Sequence, residues 1–394
     1  MKPLASRTTV FRESPIREMK RAGTLLAKQG ADVIFLHQGE PDFPTPPEIV
    51  EAAAWALRAG RTKYVPAEGL PELKDAICRK LAAENGISGM RNDEVVVTNG
   101  AKLALYVALQ AIVEEGDEVL CIAPYFGPYH DVVACTGGRF TCIDLARSEH
   151  RLELDRDRFR AALSSRTKAI LINTPQNPSG TVWTREDLEF VARMAEEHDC
   201  YIIADEVYER IVFDGRQHHS VASFSRAVKD RTILVNSFSK TYSMTGWRLG
   251  YAAAHESVVR VMADLHHATG RCATSFVQQA GISALLGSQD PVLEMVREYQ
   301  ARRDLVVDTL GSAEGLRMRD IEGTFYAFPD ISSLGIDSTS LAKDLLNSAH
   351  VAVVPGGFFG DDSSIRISFA TSRDRLAEGL ERIRQYLARG SYGD

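Results

Sequence analysis

Cysteine is scarce in this sequence of 394 residues, and its six copies have no diagnostic spacing. They form neither CxxC nor CxH motifs, and several lie within apolar runs such as residues 119–123. A disulfide framework is therefore not expected, and the cysteines are interpreted as buried free thiols.

Long apolar runs are absent too, and so is an excess of basic residues. No segment approaches the ~20 apolar residues that cross a bilayer, and no apolar stretch of signal-peptide length follows the charged N-terminus. The net charge of −7 gives no electrostatic reason to expect binding to nucleic acid. We therefore expect a cytoplasmic protein whose partners are small molecules, with no membrane and no nucleic acid among them.

Nucleotide and metal motifs are also missing. No GxGxxG follows the first predicted strand, and no GxxxxGK[ST] occurs. Two pairs of adjacent histidines suggest metal ligands, namely His218/His219 and His266/His267. Neighbouring side chains point apart on helix and strand alike, however, and no carboxylate or cysteine completes a ligand set. No metal site is predicted.

The sequence does contain a regular alternation of short β-branched runs and longer helical patterns, beginning near residue 94. Such alternation is typical of βαβ units and a mostly parallel sheet. The seven predicted strands are 94–98, 118–123, 139–145, 168–173, 201–205, 232–237 and 249–254. The last strand follows the sixth after about a dozen residues, which is marginal for a parallel crossover, so it is predicted to be antiparallel.

The predicted fold is α/β, with the seven-stranded sheet sandwiched by helices. The helical patterns include residues 101–115, which Gly116 terminates, and residues 184–198, which a Thr184/Asp187 capping box opens. A chain of this length can form two unequal domains. We predict an N-terminal arm and part of a small domain at 1–45, a large domain at 46–290 and a smaller α+β domain at 291–394.

Polar and aromatic residues follow five of the predicted strands directly. In open α/β sheets, ligands bind at the carboxyl ends of the strands, so these residues are expected to share one site. They are residues 99–102 (Asn-Gly-Ala-Lys), Tyr125 with Phe126, residues 174–180 (Thr-Pro-Gln-Asn-Pro-Ser-Gly), Asp205 with Glu206 and Tyr208, and Ser237 with Ser239 and Lys240.

This set of side chains suits pyridoxal phosphate. The cofactor needs an amine to hold its aldehyde as a Schiff base and a carboxylate to keep its pyridine nitrogen protonated, and Lys240 and Asp205 can supply them. Backbone N–H groups at Gly100, Ala101 and Lys102, where a helix is predicted to begin, suit the phosphate.

Six further side chains complete the predicted cofactor site. Hydroxyl and guanidinium groups suit the phosphate, and the predicted phosphate ligands are Ser237, Ser239 and Arg248. The flat ring needs a stacking partner and donors to its phenolic oxygen, and the predicted ring contacts are Phe126, Asn177 and Tyr208.

These residues resemble the class I/II aminotransferases of fold type I, and the resemblance covers nearly the whole chain. Residues 237–250 (SFSKTYSMTGWRLG) are similar to the family's lysine motif, which implies that Lys240 is both the Schiff-base residue and the proton shuttle. Residues 177–180 (NPSG) resemble the family's Asn-Pro-Thr-Gly. Residues 205–208 (DEVY) are similar to its ring-binding segment, which implies catalytic support from Asp205 and Tyr208.

The resemblance extends toward both ends of the chain. Residues 38–43 (QGEPDF) resemble the N-terminal substrate loop, which implies that the backbone of Gly39 meets the substrate. Tyr64 resembles the tyrosine that reaches the cofactor phosphate of the partner subunit, which implies a homodimer with shared active sites. Arg366 resembles the arginine that binds the substrate α-carboxylate bidentately, with Asn177 as a further substrate contact.

The resemblance implies a pyridoxal-phosphate-dependent aminotransferase (EC 2.6.1.-). It would move the amino group of an L-amino acid to a 2-oxo acid by a ping-pong mechanism through Lys240. The alternative is an enzyme of the same fold that uses the cofactor for elimination, cyclisation, racemisation or oxidation. A DNA-binding regulator is disfavoured, because the sequence carries no helix-turn-helix extension or basic arm.

The sequence does not identify the side chain of the substrate. Arg271 lies where several relatives bring residues across the dimer interface, so a role in binding a distal carboxylate is one interpretation. An ordinary surface or interface charge is at least as good an interpretation of the same residue.

Overall fold

A seven-stranded sheet organises the larger part of the chain. The computed structural model describes residues 14–390 together with Leu4 and Thr8. The strands of these residues are β1 (Ile34–Phe35), β2 (Val95–Thr98), β3 (Glu118–Ala123), β4 (Arg139–Asp144), β5 (Ala146–Arg147), β6 (Leu152–Glu153), β7 (Thr167–Asn173), β8 (Tyr201–Asp205), β9 (Thr232–Ser237), β10 (Gly250–Ala253), β11 (Tyr326–Ala327), β12 (Val351–Ala352), β13 (Val354–Pro355) and β14 (Ile365–Ser368).

Helices precede, separate and follow these strands. The α-helices of the described residues are α1 (Pro15–Lys28), α2 (Pro47–Arg58), α3 (Pro71–Glu84), α4 (Ala101–Ile112), α5 (Pro128–Ala134), α6 (Arg156–Ala162), α7 (Arg185–Glu197), α8 (Arg226–Arg231), α9 (Phe238–Thr241), α10 (Glu256–Gly270), α11 (Ser275–Leu286), α12 (Asp290–Leu310), α13 (Ser338–Ser348) and α14 (Arg373–Leu387). Among these residues, none of the helices is both long and apolar enough to cross a bilayer.

The strand order in the large sheet is β2-β10-β9-β8-β7-β3-β4. β10 is antiparallel to both β2 and β9, whereas the other neighbouring pairs are parallel. The mostly parallel seven-stranded sheet and its antiparallel strand are therefore confirmed. The parallel strands end on the same edge, which brings the residues that follow them together.

Apart from the edge strand β4, the sheet is buried on both faces, as the β-branched runs predict. Successive side chains of a strand point to opposite faces. On β8, Ile203 packs in a cluster with Leu105 of α4, while its neighbour Ile202 packs in another cluster with Leu188 and Val191 of α7. Helices thus cover the sheet from either side.

Two of the predicted helices are present, and one of them ends early. α7 begins after Thr184, whose hydroxyl accepts a 3.1 Å hydrogen bond from the backbone N–H of Asp187. α4 ends at Ile112, not at residue 115, because Oδ2 of Asp117 accepts from the backbone N–H of Glu114, and residues 114–117 form a turn that contains Gly116. Helical periodicity alone does not register such a local side-chain bond.

The expectation of buried cysteines is only partly correct. All six thiols are free, but only Cys121 and Cys200 are buried, and Cys142 is exposed. Cys142 lies on β4, the edge strand of the sheet, where outward-facing side chains meet solvent. The sequence pattern identifies the strand but not its place at the edge.

A second group of strands lies toward the C-terminus. β14 pairs antiparallel with β11 and β13, and β1 pairs parallel with β12. Met19 of α1, Val306 of α12 and Leu380 of α14 belong to one hydrophobic cluster. The N-terminal segment therefore packs with C-terminal elements, while the domain boundaries at 45/46 and 290/291 stay a prediction.

Candidate active site

A cavity of about 460 Å³ opens at the carboxyl ends of the parallel strands. Its wall combines residues from the strand ends with residues from both termini of the described chain. The lining residues are Ile16, Gly39, Glu40, Ala101, Lys102, Leu105, Phe126, Tyr129, Asn173, Asn177, Asp205, Val207, Tyr208, Ser237, Ser239, Lys240, Thr245, Arg248, Tyr326 and Arg366.

Most of the residues predicted for the site line this cavity. The predicted residues in its wall are Gly39, Ala101, Lys102, Phe126, Asn177, Asp205, Tyr208, Ser237, Ser239, Lys240, Arg248 and Arg366. Gly100 precedes Ala101 as the N-cap of α4. Tyr64 is not in the wall, and its side chain is 76% exposed.

Lys240 lies in the short helix α9, directly after the central strand β9. The Ser237 hydroxyl caps this helix by accepting from the backbone N–H of Ser239 at 3.0 Å. The Lys240 amine donates to the backbone carbonyl of Gly39. Burial, followed by the positive charge of Arg366, lowers the pKa of Lys240 to about 8. A substantial fraction of this amine is therefore neutral near physiological pH, which nucleophilic attack on an aldehyde requires.

Asp205 ends β8 and is buried. Its Oδ2 accepts a 2.6 Å hydrogen bond from the hydroxyl of Tyr129, and its Oδ1 accepts from the backbone N–H of Val207 at 3.3 Å. Burial nevertheless raises the pKa of Asp205 to about 6. A cationic nitrogen placed beside this carboxylate would favour its ionised form.

Arg366 lies on β14, and its side chain is buried. Its Nη1 donates to Oδ1 of Asn177 at 3.1 Å, and its Nη2 donates to the backbone carbonyl of His37 at 3.0 Å. The guanidinium also lies 4.3 Å from the ring centroid of Tyr326 and 4.8 Å from that of Phe359. The titratable groups of the described residues that act on it are Tyr326 and Tyr208, with no carboxylate among them, and its buried Nε has no hydrogen-bond partner. A buried, unpaired guanidinium is a strong binding group for an anion such as a carboxylate.

The start of α4 forms a narrow cradle. Gly100 has a φ of +91°, and a Cβ there would lie 2.6 Å from Nη2 of Arg248. A Cβ at Gly250 would lie 2.6 Å from the backbone N of Ala101. Glycine at both positions therefore allows Arg248 and β10 to approach the free N–H groups of the helix. Such an N-terminus with a guanidinium beside it suits a phosphate.

Two of the predicted ring contacts are aromatic side chains in the cavity wall. Phe126 is half-buried after β3, with its ring edge-on to Tyr129 at 5.5 Å. Tyr208 is buried after β8, and burial raises its pKa well above the ordinary value. Its hydroxyl therefore stays protonated at neutral pH and can donate a hydrogen bond.

Several lining residues were not predicted from the sequence. Asn173 donates to the backbone carbonyl of Asp205 at 2.9 Å and accepts from the backbone N–H of Asn177 at 2.8 Å, so it joins two strand ends. Tyr129 and Tyr326 supply hydroxyls to Asp205 and Tyr208. Asn173 is the last residue of a predicted strand, so the rule that ligands bind at the carboxyl ends of strands could have identified it. The two tyrosines face the site from α5 and from the second sheet, where no strand-end rule applies.

The expectation that no carboxylate accompanies the histidine pairs is wrong for His218. Atoms of Glu206, Glu209 and His218 lie within 4.8 Å of one another, and His218 Nε2 is 3.0 Å from Oε2 of Glu206. The ammonium of Lys80 contacts Glu209, and Asn85 donates to the same carboxylate at 2.8 Å. The lysine amine of the chain itself thus supplies the positive charge that a metal cation would otherwise bring to these acids. Tertiary folding brings these residues together, which spacing along the sequence does not reveal.

Tyr64 and Arg271 lie together outside the cavity. The Arg271 guanidinium is 4.3 Å from the ring centroid of Tyr64, and its Nη1 is 3.2 Å from Nε2 of His267. Neither side chain reaches the cavity within this chain.

The chain belongs to the aminotransferase class I and II family, whose model matches residues 31–383. It is 40% identical over 392 residues to an aspartate aminotransferase of Bacillus sp. (strain YM-2), covering 98% of each chain. It is 42% identical over 392 residues to a probable aspartate/prephenate aminotransferase of Aquifex aeolicus, covering 98% of this chain and 99% of that one. A Thermus thermophilus aspartate aminotransferase structure with maleate has a TM-score of 0.92 and 37% identity, covering 98% and 100% of the chains.

Fold and family together define the class of this protein. It is a fold type I enzyme that depends on pyridoxal phosphate and transfers amino groups (EC 2.6.1.-). Its substrates are amino acids and 2-oxo acids. The predictions of cofactor and of amino-group transfer are confirmed.

Proposed function

We propose that this aminotransferase acts on an acidic amino acid and a 2-oxo acid by a ping-pong mechanism, with Lys240 holding the cofactor and moving the proton. The observation that carries the proposal is the convergence of the Lys240 amine, the Asp205 carboxylate and the Arg366 guanidinium on one cavity. These groups come from α9, β8 and β14, which are distant along the chain.

The described residues fit pyridoxal phosphate on structural grounds. The cradle of Gly100, Ala101 and Arg248 suits its phosphate, and the buried carboxylate of Asp205 suits its pyridine nitrogen. When bound, the cofactor supplies an electron sink that stabilises negative charge on the substrate α-carbon. Phe126 would stack on the ring, and Tyr208 would donate to its phenolic oxygen.

The side chains then divide the work of the reaction. Arg366 binds the α-carboxylate, and the Asn177 amide, which already contacts Arg366, restricts its orientation. Lys240 accepts the α-proton through its neutral amine, whose lowered pKa of about 8 suits a general base. Asp205 holds the proton on the pyridine nitrogen because a buried carboxylate is most stable beside a cation.

The cations of the cavity support the proposed preference for an acidic substrate. Lys102, Arg248 and Arg366 all line it. Arg366 suits the α-carboxylate and Arg248 the phosphate, which leaves Lys102 for a second carboxylate. The Lys102 amine lies 5.8 Å from the Phe126 ring centroid, and the charges of Arg248 and Asp131 act on it in opposite directions. The similarity to aspartate aminotransferases, one of which has a structure with maleate, supports the same substrate class.

We further propose a homodimer with shared active sites. The region around α2 and α11 exposes large apolar side chains, among them Trp55 at 52% and Leu286 at 56%. Exposed apolar residues in such numbers indicate a protein contact. Tyr64, which follows α2, is then available to reach the cofactor phosphate of the second subunit. Light scattering of the purified protein tests the dimer, and a monomer at micromolar concentration would contradict it.

The central experiment compares Lys240→Ala with Lys343→Ala, a substitution of an exposed lysine outside the cavity. Purified proteins are loaded with pyridoxal phosphate, reduced with borohydride and analysed by peptide mass spectrometry. Cofactor attached at residue 240 in the wild type and in Lys343→Ala, but not in Lys240→Ala, supports the proposal. Attachment retained in Lys240→Ala refutes it.

A second measurement tests the reaction type. Aspartate alone should convert the bound cofactor stoichiometrically to its amine form, and a 2-oxo acid should restore the starting spectrum. Continuous turnover of a single amino acid without a 2-oxo acid would instead indicate elimination or another reaction of the same cofactor.

A further inference from the structure

Tyr326 is a buried tyrosine in the wall of the cavity, and only 1% of its surface is exposed. Its hydroxyl lies 3.0 Å from the hydroxyl of Tyr208, and the two rings meet edge-on at 5.9 Å. Tyr326 belongs to β11 of the second sheet, whereas Tyr208 follows β8 of the large sheet. The hydroxyl contact therefore joins the two sheets at the active site.

The position of Tyr326 is restrained by its neighbours. Its backbone pairs with Ser368 of β14, and the Arg366 guanidinium lies 4.3 Å from its ring centroid. On another side, a Cβ at Gly39 would lie 2.8 Å from the Tyr326 hydroxyl oxygen. The backbone of Gly39 thus leaves just enough room for that hydroxyl. It cannot move far without displacing the substrate-binding arginine or the segment that contacts Lys240.

We propose that Tyr326 is a positioning residue, whose hydroxyl donates to Tyr208 and thereby directs the Tyr208 proton toward the phenolic oxygen of the cofactor. The inference rests on the proposed role of Tyr208 in the function above. A hydroxyl has one proton and two acceptor sites, so Tyr208 can accept from Tyr326 only while its own proton points elsewhere. Accepting a hydrogen bond also makes Tyr208 a stronger donor.

Such a donor chain requires that both phenols remain protonated. Burial raises the pKa of Tyr208 and of Tyr326 above their ordinary values, so both hydroxyls keep their protons at neutral pH. The charged groups that act on the pair are Arg366 from β14 and Asp205 from β8. Lys240 from α9 lines the same cavity. The positive charge of Arg366 lowers the pKa values of both tyrosines, but burial raises them by more.

The consequence is measurable in the cofactor spectrum. A donor to the phenolic oxygen stabilises the form of the Lys240–cofactor linkage that has lost its proton, so it lowers the pH at the midpoint of the spectral titration. Removal of the donor, or of the group that orients it, raises the midpoint. We expect a rise of about 1 pH unit for Tyr208→Phe and about 0.5 unit for Tyr326→Phe.

The experiment uses holoenzymes of the wild type, Tyr326→Phe, Tyr208→Phe and the double variant. Each is titrated by absorbance, and cofactor affinity is measured separately by equilibrium dialysis. If Tyr326 acts through Tyr208, the double variant has the midpoint of Tyr208→Phe alone. The matched control is Tyr299→Phe, because Tyr299 is buried and packs against Phe325 but does not line the cavity.

The outcomes separate this inference from the proposed function. A midpoint that rises in Tyr208→Phe but not in Tyr326→Phe overturns the role of Tyr326 and leaves that of Tyr208 intact. Additive shifts in the double variant overturn it as well, and so does an equal shift in Tyr299→Phe, which would indicate a general packing effect. An unchanged midpoint in Tyr208→Phe overturns the proposed role of Tyr208 and the inference together.

Discussion

The hydroxyl of Tyr129 donates a 2.6 Å hydrogen bond to Oδ2 of Asp205, and both side chains are buried in the wall of the cavity. This bond favours the ionised carboxylate and acts against the burial that raises the pKa of Asp205. The proposed role of Asp205 depends on its negative charge. Tyr129 therefore supports the charge on which protonation of the pyridine nitrogen depends.

Tyr129→Phe removes the hydroxyl and keeps the ring. A hydrogen bond to a charged group contributes about 1.5–3 kcal/mol, so we expect kcat to fall about tenfold to a hundredfold. Steady-state kinetics of the cofactor-saturated enzyme measures the effect. Tyr251→Phe, a change at a buried tyrosine of β10 outside the cavity, is the matched control. Equal rates for Tyr129→Phe and the wild type would show that Asp205 needs no such support.

Arg366→Lys tests the binding of the α-carboxylate. A lysine keeps the charge but cannot bond to Asn177 and His37 while also presenting two parallel donors to a carboxylate. We expect kcat/KM for every amino acid to fall about 30-fold, mainly through KM, because a bidentate charged contact is lost. The cofactor spectrum should not change, since Arg366 is assigned to the substrate. An altered spectrum with an unchanged KM would contradict the assignment.

The central sheet could be predicted from the sequence because most of its strands are short apolar runs, rich in β-branched residues and buried on both faces. The seven predicted strands agree with β2, β3, β4, β7, β8, β9 and β10 to within about a residue at each end. The rule that ligands bind at the carboxyl ends of parallel strands then identified Asp205, Asn177 and Lys240 as site residues. The family resemblance supplied Arg366 and Gly39, which lie outside those strands.

The features that the sequence could not predict depend on contacts between segments that are distant along the chain. Tyr129 faces Asp205 from α5, and Tyr326 faces Tyr208 from a two-residue strand too short to give a periodic pattern. The Glu206, Glu209 and His218 cluster likewise depends on the path of the chain after β8, and Lys80 of α3 reaches it from a distant segment. The exposure of Cys142 follows from the position of β4 at the edge of the sheet.

Lys102→Met tests the preference for acidic substrates. Loss of hydration at the cavity, followed by the charge of Arg248, lowers the pKa of Lys102, as expected for an amine that faces other cations. If this amine binds a second carboxylate, kcat/KM for aspartate should fall about tenfold relative to that for alanine. The exposed Lys343→Met is the control. A fall of equal size for both substrates would show that the Lys102 amine does not distinguish them, and it would contradict the proposed contact with a second carboxylate.

His37 makes the stability of the fold depend on pH. It is buried beside Arg366, and burial, followed by the charge of that arginine, lowers its pKa from 6.5 to about 4. The folded protein therefore keeps His37 neutral down to about pH 4, whereas the unfolded chain protonates it near pH 6.5. The unfolded state binds more protons than the folded state in this window. The contribution of His37 to the free energy of unfolding is therefore greatest above pH 6.5 and is lost progressively as the pH falls toward 4.

His37→Asn removes this titration and leaves the backbone carbonyl that accepts from Arg366. We expect the free energy of unfolding of the wild type to fall more steeply than that of His37→Asn between pH 6.5 and 4, by at most about 3 kcal/mol over the window. Urea unfolding of the holoenzymes at several pH values measures both slopes. The same substitution at His198, which is exposed, controls for the loss of an imidazole as such. Parallel curves for wild type and His37→Asn would mean that His37 takes up its proton equally in the folded and unfolded chains.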